Sequence, residues 1–154
     1  MDEDTEIRPL RVGEAEALCV LIAALAAHHD DVARVRPCDV VRDCLGPRAM
    51  ARVLVAERGG RLVGYAALFP VMQMQLGRRG AELHHLFVAE DLRGAGLGTA
   101  LVAAARDQAR EMGADYMALG ASEENLRAHG FYGAQGFEAA NAAGKRFRMQ
   151  LGGP

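Results

Sequence analysis

The sequence has 154 residues, of which 51% are hydrophobic and 25% charged, and its formal net charge is −2. This balance is typical of a globular domain and excludes a disordered, collagen-like or disulfide-dense chain. It also argues against nucleic acid as a partner, because nucleic-acid binding requires a clustered basic excess. The length predicts one domain over residues 1–154.

Cysteine spacing and the first residues predict the chemistry and the compartment. Cys19, Cys38 and Cys44 are odd in number, with no Cys-x-x-Cys pair and no His/Cys cluster at zinc spacing, so we expect reduced thiols and no metal. The start, 1–4, is acidic, whereas a secretory signal begins with basic residues. The longest apolar run, 20–27, is far shorter than the roughly 20 residues that span a bilayer. These features predict a cytoplasmic protein with no membrane partner.

The first part of the chain predicts two helices and a β-hairpin. In chain order, the pattern indicates a strand at Ile7–Leu10, a helix over Glu14–His28, a short helix over Val40–Cys44, and strands over Arg52–Glu57 and Leu62–Phe69. Gly59-Gly60 between the two strands is a strong signal for a tight hairpin turn.

The second part predicts strands that alternate with helices. In chain order, it indicates a loop at Gly77–Gly80, a strand over Ala81–Val88, a glycine-rich turn over Asp91–Gly98, a helix over Thr99–Met112, a strand over Tyr116–Leu119, a helix over Glu123–Tyr132, a turn at Gly133–Gly136, and strands near Phe137-Glu138 and over Arg146–Leu151. This order predicts one sheet domain of the α/β or α+β class.

The glycine-rich turn carries the most informative motif. Gly94, Gly96 and Gly98 follow a β-rich run and precede a helix, so backbone N–H groups and the helix N-terminus can together bind phosphate oxygens. A P-loop is excluded because the segment has no lysine, and the dinucleotide fingerprint is excluded because Thr99 replaces its third glycine. The pattern that fits is Arg-x-x-Gly-x-Gly, which begins at Arg93.

This motif resembles the acetyl-CoA-binding motif of the GNAT superfamily of N-acetyltransferases. The stretch Asn125–Phe137, which contains an Asn, an Ala, a Phe-Tyr pair and a Gly-Phe pair, is similar to the second motif of that family. The resemblance implies a mixed, mostly antiparallel sheet of about seven strands flanked by about four helices. It also implies that the sheet splays between its fourth and fifth strands to admit pantetheine, and that the protein forms a homodimer.

The resemblance further implies acetyl-CoA as the co-substrate and no metal. Arg93 would lie beside the pyrophosphate, and backbone N–H groups around Phe87 and Val88 would polarise the thioester carbonyl. Tyr132 would give a proton to the leaving thiolate. The residues implied to hold coenzyme A are Leu86, Phe87, Val88, Arg93, Gly94, Ala95, Gly96, Leu97, Gly98, Thr99, Asn125 and Tyr132.

Acetyl transfer to an amine also requires a base, because an alkylamine titrates near 10.4 and is protonated at neutral pH. Simple alternation along the strand predicts that His84 and His85 point to opposite faces. It places Glu82, His84, Leu86 and Val88 on one face, and Leu83, His85 and Phe87 on the other.

The strand also resembles a subgroup, the spermidine/spermine N-acetyltransferase-like proteins. Their pattern is Leu-Glu-Asp-Leu-(Tyr/Phe)-Val, and this chain has histidines at 84 and 85 in place of the two acids. His84 takes the place of the glutamate that is the subgroup's candidate base. His84, Glu82 and a chain of waters are therefore the three alternatives for the base. Loss of two negative charges argues against a polyamine acceptor.

The sequence thus predicts an acetyl-CoA-dependent N-acetyltransferase that acts on a primary amine of a small molecule. Direct transfer in a ternary complex is expected, because none of the cysteines lies in either motif to act as a nucleophile. The alternatives are a protein or peptide N-acetyltransferase and a non-catalytic acyl-CoA-binding module. The identity of the acceptor and of the acyl chain stays open.

Overall fold

A computed structural model describes residues 4–140 and 147–151. The chain divides into two units, Met1–Ser122 and Glu123–Pro154. The first unit contains all five strands and three of the four α-helices, and the second contains the remaining helix. The single domain over residues 1–154 stays a prediction.

The first unit is built on a sheet with the order β1-β2-β3-β4-β5. The strands are β1 (Thr5–Pro9), β2 (Arg52–Arg58), β3 (Arg61–Gln73), β4 (Arg78–Val88) and β5 (Tyr116–Ala118). The first four strands pair antiparallel, whereas β5 pairs parallel to β4. The mixed, mostly antiparallel sheet is therefore as predicted.

The helices of the first unit cover the two faces of this sheet. They are α1 (Ala15–His28), α2 (Pro37–Val40) and α3 (Leu97–Glu111). The second unit contains α4 (Leu126–Ala134). Leu18 and Leu21 of α1 share one apolar cluster with Tyr65 of β3. On the opposite face Leu101 of α3 lies so close to β3 that a Cβ at Gly64 would be 3.2 Å from its Cδ1 atom.

The second helix begins earlier than predicted. Helix α2 starts at Pro37 and continues into a π-helical turn at Val41–Leu45, whereas the apolar pattern predicts a helix over Val40–Cys44. Proline is favoured at the first helical position for two reasons: its φ angle is already helical, and an N–H group at that position has no acceptor within the helix, so its absence costs nothing. Pro37 therefore starts the helix.

The predicted loop at Gly77–Gly80 is wrong except at Gly77. Strand β3 runs on to Gln73 and β4 begins at Arg78, so the hairpin is longer than the pattern indicates. Gly80 lies within β4 for a packing reason: a Cβ there would be 2.3 Å from the Cζ atom of Tyr116. Glycine inside a strand often marks such a close approach rather than a loop.

The last two predicted strands are not observed where the structure describes the chain. Residues 137–140 and 147–151 carry no strand, and residue 146 of the second predicted segment lies outside the described residues. The sheet described here has five strands rather than about seven. An alternating sequence forms a strand only when its side chains pack on a neighbouring strand or a core. The side chains of Phe147 and Met149 are 93% and 81% exposed, so they have no such packing.

One buried cation joins β1, β2 and the start of α1. Arg8 is 7% exposed and is the one buried charged side chain among the described residues. Its guanidinium donates to both carboxylate oxygens of Glu14, at 3.0 and 2.6 Å, and to the carboxylate of Glu57. The Arg8 guanidinium is the main reason why the pKa of Glu14 lies below its usual value. This cluster compensates a buried charge with two partly buried carboxylates.

Candidate functional site

Strand β4 has an open edge in its second half. Strand β5 pairs with β4 at only three positions, Gly80, Ala81 and Glu82. The six residues from Leu83 to Val88 therefore have no β5 partner in the described chain. The pairing thus ends between the two strands where the resemblance predicts a splay, the fourth and the fifth.

The backbone of β4 presents donors to this open edge. The Ala89 N–H donates to the Val63 carbonyl on β3 at 2.8 Å. Backbone N–H groups of alternate residues in an antiparallel strand point to the same side. The N–H group of Phe87 therefore points toward β3, like that of Ala89, whereas the N–H groups of Leu86 and Val88 point away from β3. The register thus favours the Leu86 and Val88 N–H groups, rather than that of Phe87, for a ligand in the splay.

The open edge leads into the glycine-rich turn. Gly94 and Gly96 have φ angles of +81° and +85°, in the left-handed region that glycine adopts without strain. Gly98 is already helical, because α3 begins at Leu97 rather than at Thr99. The first hydrogen bond of α3 runs from the Ala100 N–H to the Gly96 carbonyl, at 3.0 Å. The N–H groups of Leu97 and Gly98 come before it in the chain, so they have no acceptor within the helix and point toward the turn.

The turn has room for a ligand. A Cβ at Gly94 or at Gly96 would meet no atom within 4 Å, and both glycines are exposed, as are Ala95 and Thr99. The Leu97 side chain is buried in the core, so only its main chain is available to a ligand. Exposed N–H groups at a helix N-terminus fit an anionic group such as a phosphate.

Arg93 links the turn to the end of β4. Its Nε donates to the Val88 carbonyl at 3.0 Å, and its Cζ lies 5.8 Å from the centre of the Phe87 ring. The arginine is therefore held against the strand at the mouth of the open edge. Its role beside the pyrophosphate stays a prediction.

The two histidines of β4 occupy a β-bulge. Ala67 pairs with His85 and Leu68 pairs with Leu83, so His84 is an extra residue inserted between these two pairs. The prediction that the two histidines point to opposite faces is wrong, because their rings stack with centroids 4.4 Å apart and planes at 17°. A bulge interrupts the period-two alternation on which the prediction relied.

The bulge also brings Glu82 to the histidines. Opposite residues of an antiparallel pair share a face, so Glu82, which pairs with Phe69, lies on the same face as His85 and Phe87 rather than with Leu86 and Val88. The Nδ1 atom of His84 is 3.8 Å from Oε1 of Glu82. The Phe69 ring also packs against His84, at 4.5 Å between centroids. Two of the three alternatives for the base are thus neighbours.

Sequence reasoning missed Tyr65 as a functional residue. Its hydroxyl lies 2.9 Å from Nδ1 of His85, although the two residues are 20 positions apart. Tyr65 is 1% exposed, and burial raises its pKa. Burial, together with the nearby His84 and His29, lowers the pKa of His85 to about 4. Only the β3–β4 register could have found this pair.

The lowered pKa of His85 predicts a loss of stability in mild acid. The unfolded state binds a proton near pH 6.5 and the folded state only near pH 4, so stability is highest above pH 6.5 and falls between these values. We expect the free energy of unfolding to drop by about 2 kcal/mol over this window. Urea unfolding at several pH values measures the slope, and His85→Asn should flatten it. An unchanged slope in the variant would contradict the assignment.

The second unit contains the other two motif residues. Asn125 is the N-cap of α4, where its side-chain oxygen accepts a hydrogen bond from the Ala128 N–H at 3.1 Å. The ring of Tyr132 packs edge-to-face against those of Phe131 and Phe137. Burial raises the pKa of Tyr132, which keeps its hydroxyl protonated at neutral pH. The structure gives Asn125 a capping role, and its contact with coenzyme A stays a prediction.

The remaining groups offer no competing chemistry in the part of the chain described. No group of three or more His, Cys, Asp or Glu residues is placed to hold a metal ion within 4–140 and 147–151. Burial raises the pKa of the Cys19 and Cys44 thiols, which disfavours the thiolate that a nucleophile needs. Of the helices described, none has the length and apolar character to cross a bilayer.

Comparison with known proteins places these features in a family. The sequence model of the acetyltransferase (GNAT) family matches residues 23–137. A mycothiol acetyltransferase of Sanguibacter keddieii is 36% identical over 137 residues, which are 87% of this chain and 44% of that protein. The chain spans about half the length of the curated relatives it matches, at 44%, 58% and 43% for three of them.

Two solved structures share the fold. A ribosomal-protein-alanine N-acetyltransferase from Brucella melitensis is 25% identical, with a TM-score of 0.74 over 94% of this chain and 99% of that one. An aminoglycoside acetyltransferase from an uncultured soil sample is 17% identical, with a TM-score of 0.80 over 97% of this chain and 98% of that one. The second likeness shows the fold alone.

Proposed function

Because the chain belongs to the acetyltransferase (GNAT) family, we propose that it is an acetyl-CoA-dependent N-acetyltransferase that transfers the acetyl group directly to a primary amine of a small molecule. The observation that carries the proposal is the open edge of β4, which is followed, after a 3-10 turn at Glu90–Leu92, by the glycine-rich turn at Gly94 and Gly96. Members of the family use acetyl-CoA, and this surface offers strand N–H groups followed by a helix N-terminus.

The first role of these residues is to bind acetyl-CoA. The N–H groups of Leu86 and Val88 act as donors to an extended amide chain along the open edge, as an added strand would be held. The turn and the first N–H groups of α3 bind the phosphates. When bound, acetyl-CoA supplies the thioester carbonyl carbon that the amine nitrogen attacks, and a strand N–H directed at the carbonyl oxygen stabilises the charge that develops there.

The second role is to move protons. The amine must lose a proton before it attacks, and His84 accepts it, with the carboxylate of Glu82 beside the imidazolium. The C–N bond then forms, the C–S bond breaks, and Tyr132 gives a proton to the departing thiolate. The nitrogen loses its second proton as the neutral amide forms, and this proton restores the Tyr132 phenol through solvent. The role of Tyr132 rests on the motif Asn125–Phe137 and on a phenol that is protonated at neutral pH.

The base is tested by His84→Gln. We expect kcat to fall by roughly a hundredfold, because the glutamine amide keeps hydrogen bonding but accepts no proton. Glu82→Gln should cost less, since it removes only the partner of the imidazolium. The measurement is kcat against pH for both variants. If Glu82→Gln shows the larger loss and abolishes the acidic limb of the pH profile, Glu82 is the base instead.

The acid is tested by Tyr132→Phe. This change removes only the phenol oxygen, so we expect kcat to fall by roughly a hundredfold while the affinity for acetyl-CoA stays within about twofold. Steady-state kinetics and calorimetric titration with acetyl-CoA measure the two effects. Full activity in the variant would remove Tyr132 from the mechanism.

The function itself is tested by amine-dependent release of the coenzyme A thiol. We expect release with acetyl-CoA and a panel of small primary amines, and mass spectrometry should find the acetylated amine. Binding of acetyl-CoA without release by any amine or peptide would show a non-catalytic binding module. The panel includes alanine-starting peptides, because one relative at 25% identity is named for a ribosomal-protein alanine.

The narrower resemblance to spermidine/spermine N-acetyltransferases stays a prediction. The curated relatives include proteins named for mycothiol acetylation and for N-acetyltransferase family 8. Relative to the Glu-Asp pair of that subgroup, histidines at 84 and 85 remove two negative charges from the strand. A polycation is attracted by carboxylates, so this change disfavours a polyamine acceptor. We therefore propose an acceptor that carries a single amino group near the bulge.

A further inference from the structure

We propose that His85 is a neutral hydrogen-bond donor that selects acceptor amines carrying a hydroxyl or carbonyl oxygen next to the amino group. This inference rests on the proposed acetyltransferase function and names the class of its acceptor. It starts from the buried Tyr65–His85 pair, which the acid–base steps above do not use.

The hydrogen bond with Tyr65 determines which nitrogen of His85 carries the proton. The Tyr65 hydroxyl is buried, and Nδ1 of His85 at 2.9 Å is its one hydrogen-bond partner in the described chain. If Nδ1 carried the proton, the phenol would be a buried donor without an acceptor, which costs free energy. Tyr65 therefore donates to Nδ1, and the neutral imidazole carries its proton on Nε2.

His85 in this form is a donor and not a base. Its Nδ1 lone pair is used by Tyr65, and its Nε2 bears a hydrogen. The titratable groups that act on the ring are His84, stacked on it, and His29 at the end of α1; both oppose a further positive charge. His85 is partly exposed, and its Nε2, which has no hydrogen-bond partner in the described chain, is not fully buried, so Nε2–H is available to a ligand. Such a donor prefers an oxygen acceptor.

The place of His85 relative to the base limits where that oxygen lies. Glu82 and His84 receive the ammonium group and its proton, and His85 is stacked on His84 with centroids only 4.4 Å apart. A single small molecule reaches both only if its oxygen is within two or three bonds of the nitrogen. A 1,2-amino alcohol or an α-amino amide has this arrangement, and an α-amino amide is also the start of a peptide.

Matched acceptors test the selectivity. We compare kcat/KM expressed per unprotonated amine, because the three amines differ in pKa. On this scale we expect the value for ethanolamine and for glycinamide to exceed that for propylamine by about tenfold in the wild type. His85→Ala should reduce this ratio to about one, and His85→Gln, whose amide retains an N–H, should keep part of it. Equal use of the three amines by the wild type, or a preference that survives in His85→Ala, would overturn the inference. A glycine dipeptide compared with glycinamide separates a peptide source from a small molecule.

The tautomer is tested without turnover, by NMR of the full chain labelled with ¹⁵N in histidine. We expect His85 in the Nε2–H form from about pH 6 to 8, with the form lost in Tyr65→Phe and kept in the matched control Tyr116→Phe. An Nδ1–H form in the wild type, or titration near pH 6.5, would overturn the inference. Acetyl transfer to no amine at all, with the Nε2–H form present, would instead count against the proposed function.

Discussion

Gly96→Glu is expected to abolish stabilisation by acetyl-CoA. At about a hundred times its Kd, the ligand adds roughly 2.7 kcal/mol to the free energy of unfolding of the wild type, or about 5–10 °C in Tm. A glutamate at Gly96 puts a carboxylate into the space in front of the α3 N-terminus, where no atom lies within 4 Å of a Cβ. A hundredfold loss of affinity would leave only about 0.4 kcal/mol of stabilisation.

The matched control for this experiment is Gly59→Glu. Gly59 also has a left-handed φ angle, +56°, and open space around a Cβ, but it lies in the β2–β3 turn. Both variants should lose about 1 kcal/mol without ligand, because a side chain is strained in this conformation. Thermal unfolding with and without acetyl-CoA then isolates the loss of binding. A wild-type shift that persists in Gly96→Glu would place the phosphates elsewhere.

Arg8→Met is expected to lower the free energy of unfolding by about 2–3 kcal/mol, or roughly 5–10 °C in Tm. Methionine fills much of the arginine volume but removes the guanidinium that both Glu14 and Glu57 contact, and Glu57 keeps only the exposed Arg11, at 3.9 Å. The two glutamate side chains are only 22% and 27% exposed, so water compensates them only in part. Urea unfolding at neutral pH measures the effect.

Urea unfolding at acid pH tests whether the loss in Arg8→Met comes from the ion pair with Glu14. The Arg8 guanidinium lowers the pKa of Glu14 from its ordinary value of 4.5, so the stability it contributes is present above pH 4.5 and is lost as the pH falls through the folded value. Arg8→Met should flatten this limb. Arg11→Met is the control, since Arg11 is 60% exposed and should change stability by less than about 0.5 kcal/mol. Equal losses in the two variants would contradict the role of the buried cluster.

Local signals predicted the elements around the candidate site. The Gly59-Gly60 turn forms between β2 and β3 as predicted, and Gly96 ends the turn from which α3 begins. Each of these features depends on a few consecutive residues, such as a glycine with positive φ or a run of apolar residues at helical spacing. Boundaries moved by a few residues where a long-range contact intervened, as Tyr116 does at Gly80.

The sequence by itself determined the glycine-rich turn and the family of the chain, because both depend on residues that are adjacent in the chain. Only the tertiary structure decided what the histidines of β4 contact. The bulge at His84 depends on how β3 and β4 pair, and Tyr65 reaches His85 across that pairing from 20 residues away. Alternation carries no information about an inserted residue, since one extra position reverses the face of every side chain that follows it.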